Sequence, residues 1–307
     1  MSRSKIRPRR SLIFVPGNKP EWFPKALNYG ADIVCVDIED AISPDQKDSA
    51  RSKTLALFAQ DIPANNSECL VRINNLRSNE GVSDVQEILR QKSPPPGLML
   101  TKVKSADEIV QLQEIFSSPS HQSIRFHVII ETNDGLEAAY DIAQCSERID
   151  SLLFGGVDMS AELRTNLQWD NLLYTRSRLV HAAAGANIDL IDVPCLDLND
   201  LEGLELEARK CASLGFTGKA AIHPKQLPII NASFSPSAEA VAEAADTGDG
   251  TLNLKNIAKA FDLNHYLIND VNSIKKDLKK ILNDKKPLFV EVVTDSRQKI
   301  FDAFKDY

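Results

Sequence analysis

The sequence predicts an α/β chain, a (β/α)8 TIM barrel with a C-terminal helical extension. Three observations predict it. Eight short apolar runs recur along the first two-thirds of the 307 residues. Helix-like segments separate most of them, and nearly every run delivers polar or ionisable residues at the same end. Strand–helix alternation of this kind builds parallel sheets, and a barrel collects its functional groups where the strands end. An open doubly wound sheet is the alternative, but it often opens on a Gly-rich phosphate loop. Here the first turn, VPGNKP, carries a single Gly.

The elements follow in order. Strands are expected at SLIFV from Ser11, DIVCVD from Asp32, LVRI from Leu70 and LMLTKV from Leu98. Four more are expected at FHVII from Phe126, SLLF from Ser151, IDLIDV from Ile188 and GKAAI from Gly218. Helix-like segments fall at 19–29, 45–58, 84–90, 107–116, 136–145, 171–184 and 199–214. Ser43-Pro44 is a start signal for the second. An Asn-Asp cap opens the last, and Gly215 closes it. The barrel is expected over residues 1–230. An extension, helical with a possible extra strand at LFVEVV, is expected over 231–307.

Composition narrows the function. The net charge of -7 argues against a nucleic-acid partner. No stretch reaches the ~20 apolar residues of a membrane span. Five cysteines are scattered without a CxxC pair, which suggests neither a zinc site nor a disulfide framework and fits a reducing compartment. A cytoplasmic location is expected, with the basic stretch MSRSKIRPRR leaving a transit peptide open.

Read at their C-terminal ends, the strands present Asp37, Glu39 and Asp40, then Arg72 and Asn74, then Lys102. Glu131 and Asp158 follow, then Asp192 and Cys195, then Lys219 and His223. Glu131 and Asp158 each close a buried run, where a carboxylate loses hydration and needs compensation. Two such acids could share one Mg²⁺, which takes hard oxygens and keeps an octahedral shell; each alone could equally cap a helix or pair with Arg. Arg72 suits bidentate binding of a substrate carboxylate, or an internal salt bridge to Asp37 or Glu39. The three acids after the second strand could orient Arg72, hold metal-bound waters or cap the next helix. Lys102 could bind an anion or form an ion pair; nearby acids would keep it charged and disfavour a Schiff base. His223 before Pro224 reads as a structural cap.

The motifs RPRRSLIFVPGNKP, DIVCVDIEDAISPDQKDSAR, VRIN, VIIET-x-x-G, LLFGGVDMSAEL and GFTGKAAIHPKQ stand in this order over residues 7–230. In these the chain resembles the HpcH/HpaI aldolase superfamily, in particular the citrate lyase beta subunit and its relatives. The resemblance implies a (β/α)8 barrel with Mg²⁺ held by Glu131 and Asp158. It implies substrate binding by Arg72 and Glu131, with Gly156 shaping the loop. The expected catalytic residues are Arg72, Glu131 and Asp158, and Asp37 and Lys102 join the expected substrate-binding set. The implied reaction makes or breaks a carbon–carbon bond in a CoA thioester such as citryl-, malyl- or citramalyl-CoA. Acetyl-CoA and a 2-oxo acid are its products, and trimers or hexamers its usual assembly.

The departure lies after residue 230. Relatives close with a glycine- and aspartate-containing segment that covers a neighbouring subunit's site and can supply an acid. The corresponding region here reads DTGDGTLNLKNIAKAF, with Asn253, Lys255 and Asn256 in that stretch. Residues 271–282 read as a basic amphipathic helix. Two rivals are an aldolase acting on a free hydroxy-keto acid without CoA, and a non-catalytic subunit of a larger complex.

Overall fold

Strand residues of this chain alternate between two apolar layers, and that alternation closes the sheet. In the computed structural model, which describes residues 7–60, 67–236, 264–268, 281 and 288–292, eight strands form one closed parallel barrel in sequence order. They are β1 (Ser11–Pro16), β2 (Ile33–Asp37), β3 (Glu68–Ile73) and β4 (Gly97–Leu100). The second half supplies β5 (Arg125–Ile130), β6 (Ile149–Phe154), β7 (Asp189–Asp192) and β8 (Gly218–Ala221). β8 returns to pair in parallel with β1. The inner layer contains Leu12, Cys35, Leu70, Met99, Ile129 and Leu153. Their strand neighbours, such as Val34, Val71 and Val128, face the other way into the core shared with the helices.

The helices are α1 (Phe23–Ala26), α2 (Lys47–Phe58), α3 (Asn79–Arg90), α4 (Ala106–Ile115), α5 (Asn133–Glu137) and α6 (Ala139–Gln144). Then come α7 (Gly156–Glu162), α8 (Leu173–Ala186), α9 (Leu201–Leu214) and α10 (Leu227–Ser233). α9 opens at the Asp200 cap and ends at Gly215, whose φ of 115° only glycine takes readily. α3 starts five residues earlier than its periodicity predicts. Ser78 caps it by accepting from the Gly81 amide, and Gly81 has no Cβ because the Asn75 carbonyl would lie 2.1 Å from one. β4 is shorter than its apolar run: Lys102 has a φ of 53°, which ends the extended path.

Strand parity sorts the charged residues. Ile191 and Ala220 are inner-layer residues, so Asp192 and Lys219 point outward, away from the mouth where the sequence reading put them. Lys219 is fully buried and bonds Asp192 Oδ2 at 2.5 Å, the Val193 carbonyl at 2.7 Å and Glu207 Oε1 at 2.7 Å. Arg176 of α8 completes the network, 3.0 Å from Asp192 Oδ1. The Lys219 and Arg176 charges beside it hold the Asp192 carboxyl below its ordinary range despite burial. Cys195 lies beyond β7, with its carbonyl accepting from the Gln226 amide. His223 caps the turn that follows it, accepting from the Lys225 amide at Nδ1.

The chain divides into two compact units, Met1–Ser235 and Pro236–Tyr307. In the second, β9 (Asn264–Ile268) and β10 (Leu288–Val292) pair in parallel. β10 is the strand expected at LFVEVV; β9, NHYLI, begins with two polar residues and shows too short an apolar run to be read. The expected helix over 271–282 falls outside the described residues except for Ile281. So does the divergent stretch at 246–261. No helix among the described residues is long and apolar enough to cross a membrane.

Lys219→Met should cost about 3–5 kcal/mol, because it leaves the buried carboxylate of Asp192 short of a cation. Urea unfolding of the two proteins side by side measures the loss.

Candidate metal centre

Three sequence-nominated groups reach the mouth of the barrel by parity. Asp37 follows inner-layer Cys35 by two positions, Arg72 follows Leu70, and Glu131 follows Ile129. Asp37 and Arg72 are also register partners on β2 and β3. Their side chains form a fork-to-fork pair: Nε to Oδ1 at 2.8 Å and Nη2 to Oδ2 at 2.5 Å. Asp37 also accepts from the amides of Glu39 and Ala41. Both of its oxygens are therefore engaged in holding Arg72 and the following loop. The guanidinium lies over the Phe14 ring at 4.9 Å, a cation–π contact. Its remaining nitrogen, Nη1, stands 3.5 Å from Glu39 and 3.7 Å from Asp40, longer than normal hydrogen bonds.

Glu131 directly follows β5 and is 4% exposed. Oε1 accepts from the Lys102 amide at 2.8 Å. A Cβ on Gly155 would meet Glu131 Cβ at 2.4 Å and Oε2 at 2.6 Å, so the carboxylate fits only because residue 155 is glycine. Gly155 precedes α7, whose first turn carries Asp158. Asp158 stands close enough for its charge and a hydrogen bond to act on Glu131. Burial first, and then the Asp158 charge, push the Glu131 carboxyl up to about 8. Two facing carboxylates need either a shared proton or a cation between them.

Lys102 stands beside this pair. Its Nζ donates to Glu39 Oε1 at 2.6 Å. Burial works against its charge, but the bond to Glu39 and the nearby Asp40 and Glu131 outweigh it and raise its pKa. Gly156, the residue after Gly155, opens α7, and a Cβ there would press Phe154 and Val193 at 3.1 Å. Asn74 turns away from the opening. Buried Asp84 accepts from both its backbone and side-chain amides, and Lys47 Nζ bonds its Oδ1 and the Ile38 and Glu39 carbonyls. This brace behind the loop, together with Phe14 and Gly155, was not read from the sequence. The Gly-Gly pair at 155–156 was the one visible signal.

The donor set fits a hard divalent ion. A buried carboxyl is held away from ionisation by burial and by the Asp158 charge, with no competing nitrogen or sulfur ligand from the residues described. Two carboxylates with the other positions left to water and substrate oxygens suit Mg²⁺. Another cluster, Glu68, His127 and Asp150, brings ligand atoms within 4.8 Å of one another at the opposite end of the barrel. Its cation is already there: Arg9 reaches Glu68 at 2.7 Å, Asp189 at 2.8 Å and Asp150 at 3.0 Å. That cluster closes the barrel floor.

The sequence pattern of the HpcH/HpaI aldolase/citrate lyase family matches residues 10–224. The chain is 30% identical over 261 residues to the mitochondrial citramalyl-CoA lyase of Rattus norvegicus, covering 80% of this chain and 77% of that protein. It is 29% identical over 301 residues to the citrate lyase beta subunit of Leuconostoc mesenteroides subsp. cremoris, covering 88% and 99% of the two chains. Among solved structures, CitE of Mycobacterium tuberculosis in complex with magnesium, acetoacetate and coenzyme A superposes with a TM-score of 0.66. That match has 26% identity and covers 83% of this chain and 88% of that one.

A divalent ion bound by Glu131 must displace its proton. At pH 7, below the carboxyl's value of about 8, binding should release roughly 0.9 proton per ion, and above pH 9 almost none. Affinity should rise with pH up to about 8 and then level off. Calorimetric titration with Mg²⁺ in buffers of different ionisation enthalpy counts the protons.

Proposed function

We propose that this chain, which belongs to the HpcH/HpaI aldolase/citrate lyase family, is a magnesium-dependent carbon–carbon lyase. Its substrate is a 3-hydroxy-acid CoA thioester of the citryl-, malyl- or citramalyl-CoA type, cleaved to, or formed from, acetyl-CoA and a 2-oxo acid. The observation that carries the reading is the buried Glu131 carboxyl with the half-buried Asp158 close beside it, at the barrel mouth next to an anchored arginine. The names of the relatives support the substrate class, and the magnesium complex of the mycobacterial protein supports the ion.

Each residue then has a physical task. Glu131 and Asp158 would hold the ion, which when bound supplies a Lewis acid for the 2-oxo acid's oxygens. Arg72 has two nitrogens tied to Asp37, and Nη1 is the donor left to take a substrate carboxylate. Because Asp37 fixes the guanidinium plane, little side-chain freedom is lost when substrate binds. In cleavage, the substrate hydroxyl passes its proton to a base, the O–H bonding pair becomes the second bond of the 2-oxo acid's carbonyl, and the carbon–carbon bond breaks. Its bonding pair moves toward the thioester carbonyl, leaving an enolate whose carbon takes a proton to become acetyl-CoA. The Arg72 guanidinium and the Lys102 ammonium keep this acid-rich mouth from repelling that negative charge. Gly155 and Gly156 leave room for Glu131 and for the start of α7.

A homo-oligomer, trimer or hexamer, and a cytoplasmic location belong to the same proposal. All five cysteines are free thiols, which suits a reducing compartment. The mitochondrial name of the rat relative makes an organelle matrix the other place to look.

Glu131→Gln and Asp158→Asn should each abolish Mg²⁺-dependent cleavage of citramalyl-CoA or malyl-CoA while circular dichroism stays native. Wild-type rates in both would remove the metal from the reaction. Arg72→Lys should lower kcat/KM by about 10- to 100-fold, the loss of one charge-assisted bond. Unchanged kinetics would take Arg72 out of the site.

A further inference from the structure

We propose that Lys102 is a positioning residue that sets which divalent ion the mouth accepts: its ammonium holds Glu39 aside, so that the ion meets two carboxylates and not three. The inference rests on the metal reading above and deepens it.

Lys102 serves two acids at once by different means. Its backbone, at φ 53°, lies in the left-handed region that a lysine adopts only when its surroundings enforce it. That conformation aims the amide at Glu131 Oε1, 2.8 Å away. The side chain carries its ammonium to Glu39 Oε1 at 2.6 Å. Asn187, which also has a positive φ, caps the end of α8. Lys102 caps no helix, and the bond to Glu131 is what its backbone conformation achieves.

Glu39 is the carboxylate that would otherwise compete. It is 5% exposed, and the one residue Lys102 bonds both it and Glu131. Its other oxygen accepts from the Asp40 amide at 3.2 Å and stands 3.5 Å from Arg72 Nη1. Arg72 already has its two hydrogen-bonded nitrogens on Asp37. Without the Lys102 ammonium, the Glu39 carboxylate would lose the one cation within hydrogen-bonding distance of it among the described residues, since Arg72 Nη1 stands 3.5 Å away. Among the described residues, the carboxylates of residues 37, 39, 40, 131 and 158 cluster here with the cations Arg72 and Lys102.

Ion chemistry gives this a consequence. Mg²⁺ is small, keeps its waters and is satisfied by one or two carboxylates, whereas Ca²⁺ gathers six to eight oxygens and gains from each added carboxylate. Sequestering Glu39 therefore favours Mg²⁺ and leaves positions for substrate oxygens.

Calorimetric titration of the full chain with MgCl2 and with CaCl2 tests this. In Lys102→Met, Ca²⁺ should gain about tenfold in affinity relative to Mg²⁺, the worth of one added ligand at ~1.4 kcal/mol. Lys102→Arg, which keeps the cation, should retain the wild-type preference. The double variant Lys102→Met/Glu39→Gln should return to it. A preference unchanged in Lys102→Met, or a shift that survives in the double variant, overturns the proposal. If Lys102→Met does not fold, Lys102→Gly, which suits the left-handed backbone, is judged by the same two outcomes. Glu131→Gln is read separately: wild-type Mg²⁺ affinity there would sink the metal reading itself, whatever Lys102 does.

Discussion

A barrel strand can offer only every second side chain to the interior, and this parity governs where each charge of the protein ends up. Asp37, Arg72 and Glu131 share the parity of the inner-layer residues Cys35, Leu70 and Ile129, and so they meet at the mouth. Asp192 and Lys219 have the opposite parity and are driven into the space between strands and helices. There they could persist only as a closed network with Arg176 and Glu207. The same rule turns Glu68 and His127 inward at the floor, where Arg9 satisfies the acids.

The three charged clusters differ in how completely they are neutralised. Lys219 has two carboxylates and a carbonyl within 2.7 Å. Arg9 spans three carboxylates that belong to three strands. Both are sites at rest, and their buried cations knit elements together. At the mouth, Asp37 has Arg72 and Glu39 has Lys102, but Glu131 and Asp158 have each other. A buried carboxylate beside a second acid is unfavourable unless a proton or a cation compensates it. Burial first, and then the Asp158 charge, push the Glu131 carboxyl up to about 8. The other two clusters already contain their cations, Lys219 and Arg9.

Support for the site comes from groups that never touch the opening. Asp84, wholly buried on α3, holds Asn74 in place, and Lys47 on α2 ties Asn74 to the carbonyls of Ile38 and Glu39. The loop that presents Glu39 is thus braced by two helices. A binding group on an unbraced loop would lose freedom on each encounter, and that cost would weaken binding. Asp37 and Phe14 do the same for Arg72.

The eight apolar runs, their spacing and the polar residues at their ends were enough to read a (β/α)8 barrel. The cause is that period-two burial and helix–strand alternation are local properties of the chain. Arg72, Glu131 and Asp158 could be nominated for a related reason: a charge ending an apolar run is conspicuous. Three things were decided by tertiary structure alone. Whether Arg72 would meet Asp37 depended on the register between β2 and β3. The left-handed turn at Lys102, inside what reads as a continuing strand, depended on Glu131, 29 positions along the chain. Asp192 and Lys219 were assigned to the wrong side because which residues of a strand face inward is settled by the closed barrel's own packing. A charge at a strand end has no local preference that announces its side. Local sequence determines where backbone regularity begins and ends; only contacts distant in sequence determine which charges meet.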